Sequence, residues 1–143
     1  GDTWDSSVIL EAAKGTDVQV HVTTFFDEGD TSEAAVAFVS GFKAWLNENP
    51  DQKTANGGND IVAAVTALGF DGYMTALEAL KAADSGERDD IADVVADVTY
   101  TGVTGAIAFD ENGDALRDQA FIKAADTSTG TWTFVKVQGI EGN

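Results

Sequence analysis

The sequence predicts a mixed α/β chain in which helices follow one early strand and a β meander closes the chain. Three observations predict it. Asp17–Phe25, "DVQVHVTTF", alternates Val18, Val20 and Val22 with Gln19, His21 and Thr23, the period of a half-buried strand. Three later stretches carry apolar residues at helical spacing instead. The last third holds three short β-prone runs separated by turn residues. With 143 residues and 43% hydrophobic content, the chain suits one domain, or part of a larger protein, with a packed core.

Gly1–Ser7, "GDTWDSS", reads as a turn that supplies a helix cap, with Asp5 or Ser6 accepting the first free N–H groups. Val8, Ile9, Leu10, Ala12 and Ala13 suit a short helix that Gly15 ends. The strand at Asp17–Phe25 follows. Asp30 and Glu33, three apart, form a capping-box pair. Behind them Ala35, Phe38, Val39, Phe42, Trp45 and Leu46 line one helical face, which Pro50 stops. Asp51–Asn59 reads as a loop. Ile61 to Ala83 is a long helix, with Gly69 and Gly72 weakening its middle by about 1 kcal/mol each relative to alanine. Ser85–Val98 is a further amphipathic helix with Ile91, Val94, Val95 and Val98 inward. Strands are expected at Gly105–Phe109, Arg117–Ala125 and Thr131–Gln138, with turns at Asn112-Gly113 and Ser128–Gly130. One early strand cannot cover the apolar faces of three helices, so another part of the protein is expected to supply most of a sheet. The absence of a starting methionine carries the same expectation of a longer N-terminal part.

Eight Lys+Arg against 25 Asp+Glu give a net charge of -17. Such a surface repels phosphate backbones and anionic lipid, so no nucleic-acid partner is expected, and the charge reads as serving solubility or adaptation to salty surroundings. Zero cysteines remove disulfides, thiolate nucleophiles and cysteine-ligated zinc. A single histidine cannot build a histidine-rich metal site, and His21 on the polar side of its strand reads as solvated. No serine lies in a G-x-S-x-G elbow, and the Gly57-Gly58 loop lacks the lysine of a phosphate-binding loop. No catalytic residue, cofactor or metal is assigned, and no enzyme activity is expected.

The run Asp110–Asp114 invites sharper readings. As a calcium loop beginning at Asp110 it has Ala115 where the sharp-turn glycine belongs and Phe121 where the bidentate glutamate belongs. As a catalytic pair its acids would need an apolar setting, whereas they sit on a turn. A hairpin accounts for the same residues, because Asn112-Gly113 tolerates the positive φ of a tight turn.

"YTGVTGAIAFDENGD" resembles the C-terminal segment of type I periplasmic solute-binding proteins, the branched-chain amino-acid (Leu/Ile/Val) group of ABC importers. The residues that carry it are Gly102, Thr104, Gly105, Ile107, Phe109, Asp110, Gly113 and Asp114. "GDTWDS", "VQVHVTTFFDEGD", "AAVAFVSGFKAWLNENP" and "LGFDGYMTALEALKAADS" resemble further family segments in the same order, so the resemblance spans nearly the whole chain. Phe70 stands where tyrosine is usual, Gly72 where alanine is usual, and Asn47, Glu48 and Asn49 replace the usual glycine ahead of Pro50.

The resemblance implies the C-terminal portion of a two-lobed, Rossmann-like fold, with about 1–26 and 100–143 in the second lobe and about 27–99 as helices toward the first. It implies binding without catalysis: a small solute, by default a branched-chain or related amino acid, handed to an ABC permease in the membrane. It implies a periplasmic or extracellular home, with lipid anchoring of the full-length protein compatible with that home, and an N-terminal part of the same protein as partner. The alternative is the ligand-sensing ectodomain of a signalling receptor. Asp2 falls at the family's ammonium-binding position, with Trp4 two residues on as a candidate wall of the side-chain pocket. Asp2 as a plain turn residue and Trp4 as a packing residue stand beside these roles. Phe25 and Phe26 fall near an implied hinge crossing, where core packing and ligand contact are both open.

Overall fold

After a 3-10 turn at Asp2–Trp4 the chain runs α1 (Ser7–Ala13), β1 (His21–Thr24), α2 (Glu33–Glu48), α3 (Pro50–Ala55), α4 (Ala64–Ala82) and α5 (Arg88–Val95). It then forms β2 (Tyr100–Gly102), β3 (Gly105–Ile107), β4 (Gln119–Asp126) and β5 (Thr131–Gly139). The computed structural model describes residues 2–117 and 119–139, without the side chains of Asp2 and Gln119. The class is mixed α/β, with helices before antiparallel strands, as the sequence predicts. No helix among the described residues is long and apolar enough to cross a membrane.

The terminal strands do not form one meander. β4 and β5 pair as a hairpin, and β1 adds to the far side of β4, giving the antiparallel order β1-β4-β5. β2 and β3 make a separate ladder around the turn at Val103-Thr104. β1 is shorter than its alternation implies. Val22 and Thr24 are buried, but Val18, expected on the same inner face, lies ahead of the paired segment and is 58% exposed. The inner face is buried only along the segment that pairs with β4.

Local chemistry sets the helix boundaries. Ser32, not Asp30, caps α2: its hydroxyl accepts from Ala35 N–H at 3.3 Å, while Asp30 Oδ1 accepts from Ser32 N–H at 2.8 Å. Pro50 ends α2 as expected, but the following residues are not all loop. A proline lacks only an N–H that a helix start leaves unused, so Pro50 opens α3, with Asp51 in its first turn and Lys53 in its last. Of the helix expected over Ser85–Val98, α5 keeps only Arg88–Val95, and Val98 is buried beyond its end.

The core sits where α2 and α4 meet the residues after β1. Phe26, Ala35, Val62, Ala64, Ala67 and Val103 form it, with Phe38, Val39 and Phe42 packed against it. The alanines are small, and the aromatic rings fill the space beside them. Phe38 stands edge-on to Phe26, with centroids 6.2 Å apart, and lies 4.9 Å from Phe70. An apolar groove of about 550 Å³ runs beside these rings, between α2 and the β2–β3 turn.

Candidate functional site

Two arrangements in the fold organise chemistry-bearing side chains, and both gather residues far apart in sequence. The first lies at the turn that carries Asp2 and Trp4. Trp4 is 55% exposed, so it is not a packing residue of the described core. The side chain of Asp2 lies outside the described residues, and its backbone opens the 3-10 turn. Thr3 also makes contacts in this turn.

Asp5 follows at once and is 4% exposed. It is not the cap of α1; Ser6 holds that place without a side-chain bond. Its carboxylate turns inward, where Oδ2 lies 3.0 Å from Lys123 Nζ and accepts from the Thr24 hydroxyl at 3.3 Å. Asp27 Oδ2 lies 3.3 Å from the same Nζ. Lys123 is 3% exposed, so its ammonium exchanges water for two carboxylates. β4 places it there: Lys123 pairs with Val22, and the ladder between β4 and β5 shifts register between Ile122 and Lys123. A cavity of about 340 Å³ opens beside it, bounded by Leu10, Glu28, Ile61, Val62 and Trp132 among others. Trp132 Nε1 is buried there with no acceptor among the described residues. Glu28 is committed elsewhere, accepting from Val62 N–H at 2.7 Å and pairing with Lys43.

The second arrangement explains the glycine–threonine signature. Asp71, on α4 and 1% exposed, accepts from Val103 N–H at 2.8 Å, Thr104 N–H at 2.7 Å and the Thr104 hydroxyl at 2.6 Å. A Cβ on Gly102 would come 2.3 Å from Asp71 Oδ1, so only glycine lets the carboxylate reach the turn. Arg117 Nη1 donates to Thr104 O at 3.0 Å, and its guanidinium lies 5.3 Å from the centre of the Phe25 ring. These contacts hold the β2–β3 turn to α4 and to the end of β1.

The acidic run between the later strands is a turn. Asp110 Oδ1 accepts from Asn112 N–H at 2.8 Å and Asp114 N–H at 2.9 Å, Gly113 has φ 82°, and Phe109 pairs with Ala115 across it. The Asp114 N–H, then the Asn112 N–H, holds the Asp110 carboxyl below its ordinary pKa. Phe26, at 1% exposed, takes the packing role, and His21 is exposed at the sheet surface.

Trp4 lies in a 3-10 turn, and the sequence did not single out Lys123, Asp27 or Asp71. One signal was present for the lysine: it interrupts the apolar run Ala120–Ala125 in a chain with only 8 basic residues.

The fold compares with a solved protein. The 1.90 Å crystal structure of a leucine-binding protein, LivK from Thermotoga maritima, matches with a TM-score of 0.71 and 27% sequence identity. The chain is structurally similar to part of a periplasmic binding protein. The match covers 97% of this chain and 36% of LivK, so the chain spans little more than a third of that protein's length. No protein-family model matches the sequence, and no curated protein matches it.

Proposed function

We propose that this chain is the C-terminal part of an extracytoplasmic solute-binding protein that takes up a small amino acid and delivers it to an ABC permease. The observation that carries this reading is the similarity to a leucine-binding protein along 97% of the chain. Branched-chain amino acids are the default solute. Residues 1–26 and 100–143 belong to the second lobe in this reading, and the helices of 27–99 face the first. The apolar groove between α2 and the β2–β3 turn is covered by the rest of the protein.

The mechanism is a hinge closure. A solute that touches both lobes favours the closed state by the contacts that only that state supplies. A zwitterion needs N–H donors for its carboxylate and an acid for its ammonium. Asp2 is assigned to the ammonium and Trp4, which presents an exposed indole, to the solute's side chain. The reading places the protein in the periplasm or outside the cell and assigns it no catalysis.

Calorimetric titration of the full-length protein against a panel of amino acids tests it. Saturable binding of one branched-chain or related amino acid, lost in Asp2→Ala, is expected. Binding by Asp2→Ala as tight as by the parent removes the ammonium assignment, and an unresponsive parent removes the amino-acid reading. Import that fails to depend on a protein that binds normally would instead favour a sensing ectodomain.

A further inference from the structure

We propose that Lys123 is the positioning residue for the Asp2–Trp4 turn, acting through Asp5 and locked by Asp27; this rests on the solute-binding reading above.

The geometry points to it because one ammonium joins three separate segments. Asp5 belongs to the turn that opens the described chain, 118 residues away from Lys123. Asp27 belongs to the segment leaving β1, and Lys123 itself to the middle of β4. Thr24, the last residue of β1, adds a hydrogen bond to the same Asp5 oxygen that meets the lysine. Asp5 is buried whereas Thr3 and Trp4 before it are exposed; β1 and α4 also lie against this turn, and Asp5 is the residue that ties it to Lys123. Ser6 N–H donates to Trp4 O at 2.9 Å, which ties the exposed indole's own backbone to the anchored residue's neighbour.

The chemistry suits positioning. A lysine side chain has four rotatable bonds, and it holds one place only when its ammonium is fixed. Here two carboxylates fix it, at 3.0 and 3.3 Å, in a site where the lysine and Asp5 side chains are 4% and 2% exposed. Solute-contacting groups must be held within about half an ångström by supporting residues, and Asp5 is the buried residue next to Trp4 in the chain. The same ammonium reaches the segment that leaves β1. The turn and that segment therefore keep one relative placement while Lys123 holds both.

The test uses the full-length protein labelled with fluorotryptophan, with the Trp4 fluorine resonance assigned by its loss in Trp4→Phe. Lys123→Met strands the buried Asp5 and the half-buried Asp27 and can fail to fold, so it is paired with the neutral set Asp5→Asn, Asp27→Asn, Lys123→Met. In the neutral set the Trp4 resonance shifts, and the solute Kd, measured for leucine, isoleucine and valine, weakens about tenfold, the size of a lost orienting contact. Lys123→Arg restores most of both. A folded neutral set with parental Kd overturns the proposal, whether or not the Trp4 signal moves. If the parent binds none of these three, the branched-chain default falls. The fluorine signal then decides alone: an unmoved Trp4 resonance overturns the tether, and a moved one supports it.

Discussion

Asp71 and Thr104 meet twice: the carboxylate on α4 accepts from the threonine N–H at 2.7 Å and from its hydroxyl at 2.6 Å. Val103 N–H completes the set, so one buried acid satisfies the donors of a turn that has no helix or sheet partner for them. Asp71→Ala strands buried N–H groups. It is expected to destabilise by about 3 kcal/mol, read from urea unfolding. Thr104→Val removes the hydroxyl that donates to Asp71 and accepts from Arg117 Nη1 at 3.2 Å, and costs about 2 kcal/mol. The double variant is expected to lose less than the sum, because both changes break the same bond. Additive losses would show that the hydroxyl contact contributes nothing.

Phe38 is the hub of the aromatic cluster, with ring centroids 6.2 Å from Phe26, 5.9 Å from Phe42 and 4.9 Å from Phe70. Its loss opens a cavity that rigid helices cannot collapse. Phe38→Ala is expected to destabilise by about 3 kcal/mol. Trp45 continues the same face but is 46% exposed. Trp45→Ala is expected to cost about 1 kcal/mol, because half its surface is never removed from water. Equal losses at the two positions, in thermal or urea unfolding, would contradict the placement of the core.

Asp126 closes the β4–β5 hairpin. Its Oδ1 accepts from the Ser128 hydroxyl at 2.6 Å, from Ser128 N–H at 2.9 Å and from Thr129 N–H at 3.2 Å. The Ser128 hydroxyl, above all, lowers its pKa from 3.8 to about 2. A folded pKa below the unfolded one means the carboxylate's contribution is complete above the unfolded value and fades as pH falls through about 2. NMR titration of the Asp126 carboxyl carbon is expected to show its midpoint near that value. In Ser128→Ala the midpoint is expected to move back toward 3.8, the ordinary value. A midpoint in the parent already at 3.8 would show that the hydroxyl does not hold the turn.

Much of this architecture was legible because it rests on local rules. The periodic apolar positions of α2 and α4 and the Asn112-Gly113 turn depend on neighbours within a few residues. What escaped depends on distant partners. Asp5 reads as a candidate cap, and Lys123 draws no reading until β1 and β4 are paired, which brings Val22 opposite Lys123. Gly102 stands in the sequence only as part of a resembling motif, and its cause is the Asp71 carboxylate, 31 positions earlier in the chain. Pro50 illustrates the third kind of miss. A proline both ends and begins helices, and only the chain beyond it decides which.

The Lys123 cluster separates two ways in which buried charge affects stability. Removing one partner leaves a charge that has lost water and gained nothing, which costs about 3–5 kcal/mol. Removing every charge abolishes both the attraction and the desolvation cost, so the outcome is near neutral. Lys123→Met, which isolates Asp5 and Asp27 against each other, is therefore expected to be the most destabilised variant in urea unfolding. Asp27→Asn is expected to be mild, since Lys123 keeps Asp5 at 3.0 Å and Asp27 is the less buried acid. Asp5→Asn falls between them, because Thr24 and Lys123 both lose their shared acceptor charge. The neutral set of all three changes is expected to lie within about 2 kcal/mol of the parent, above Lys123→Met alone. If Lys123→Met is instead as stable as the neutral set, water reaches the two acids when the lysine is gone, and the cluster is not sealed.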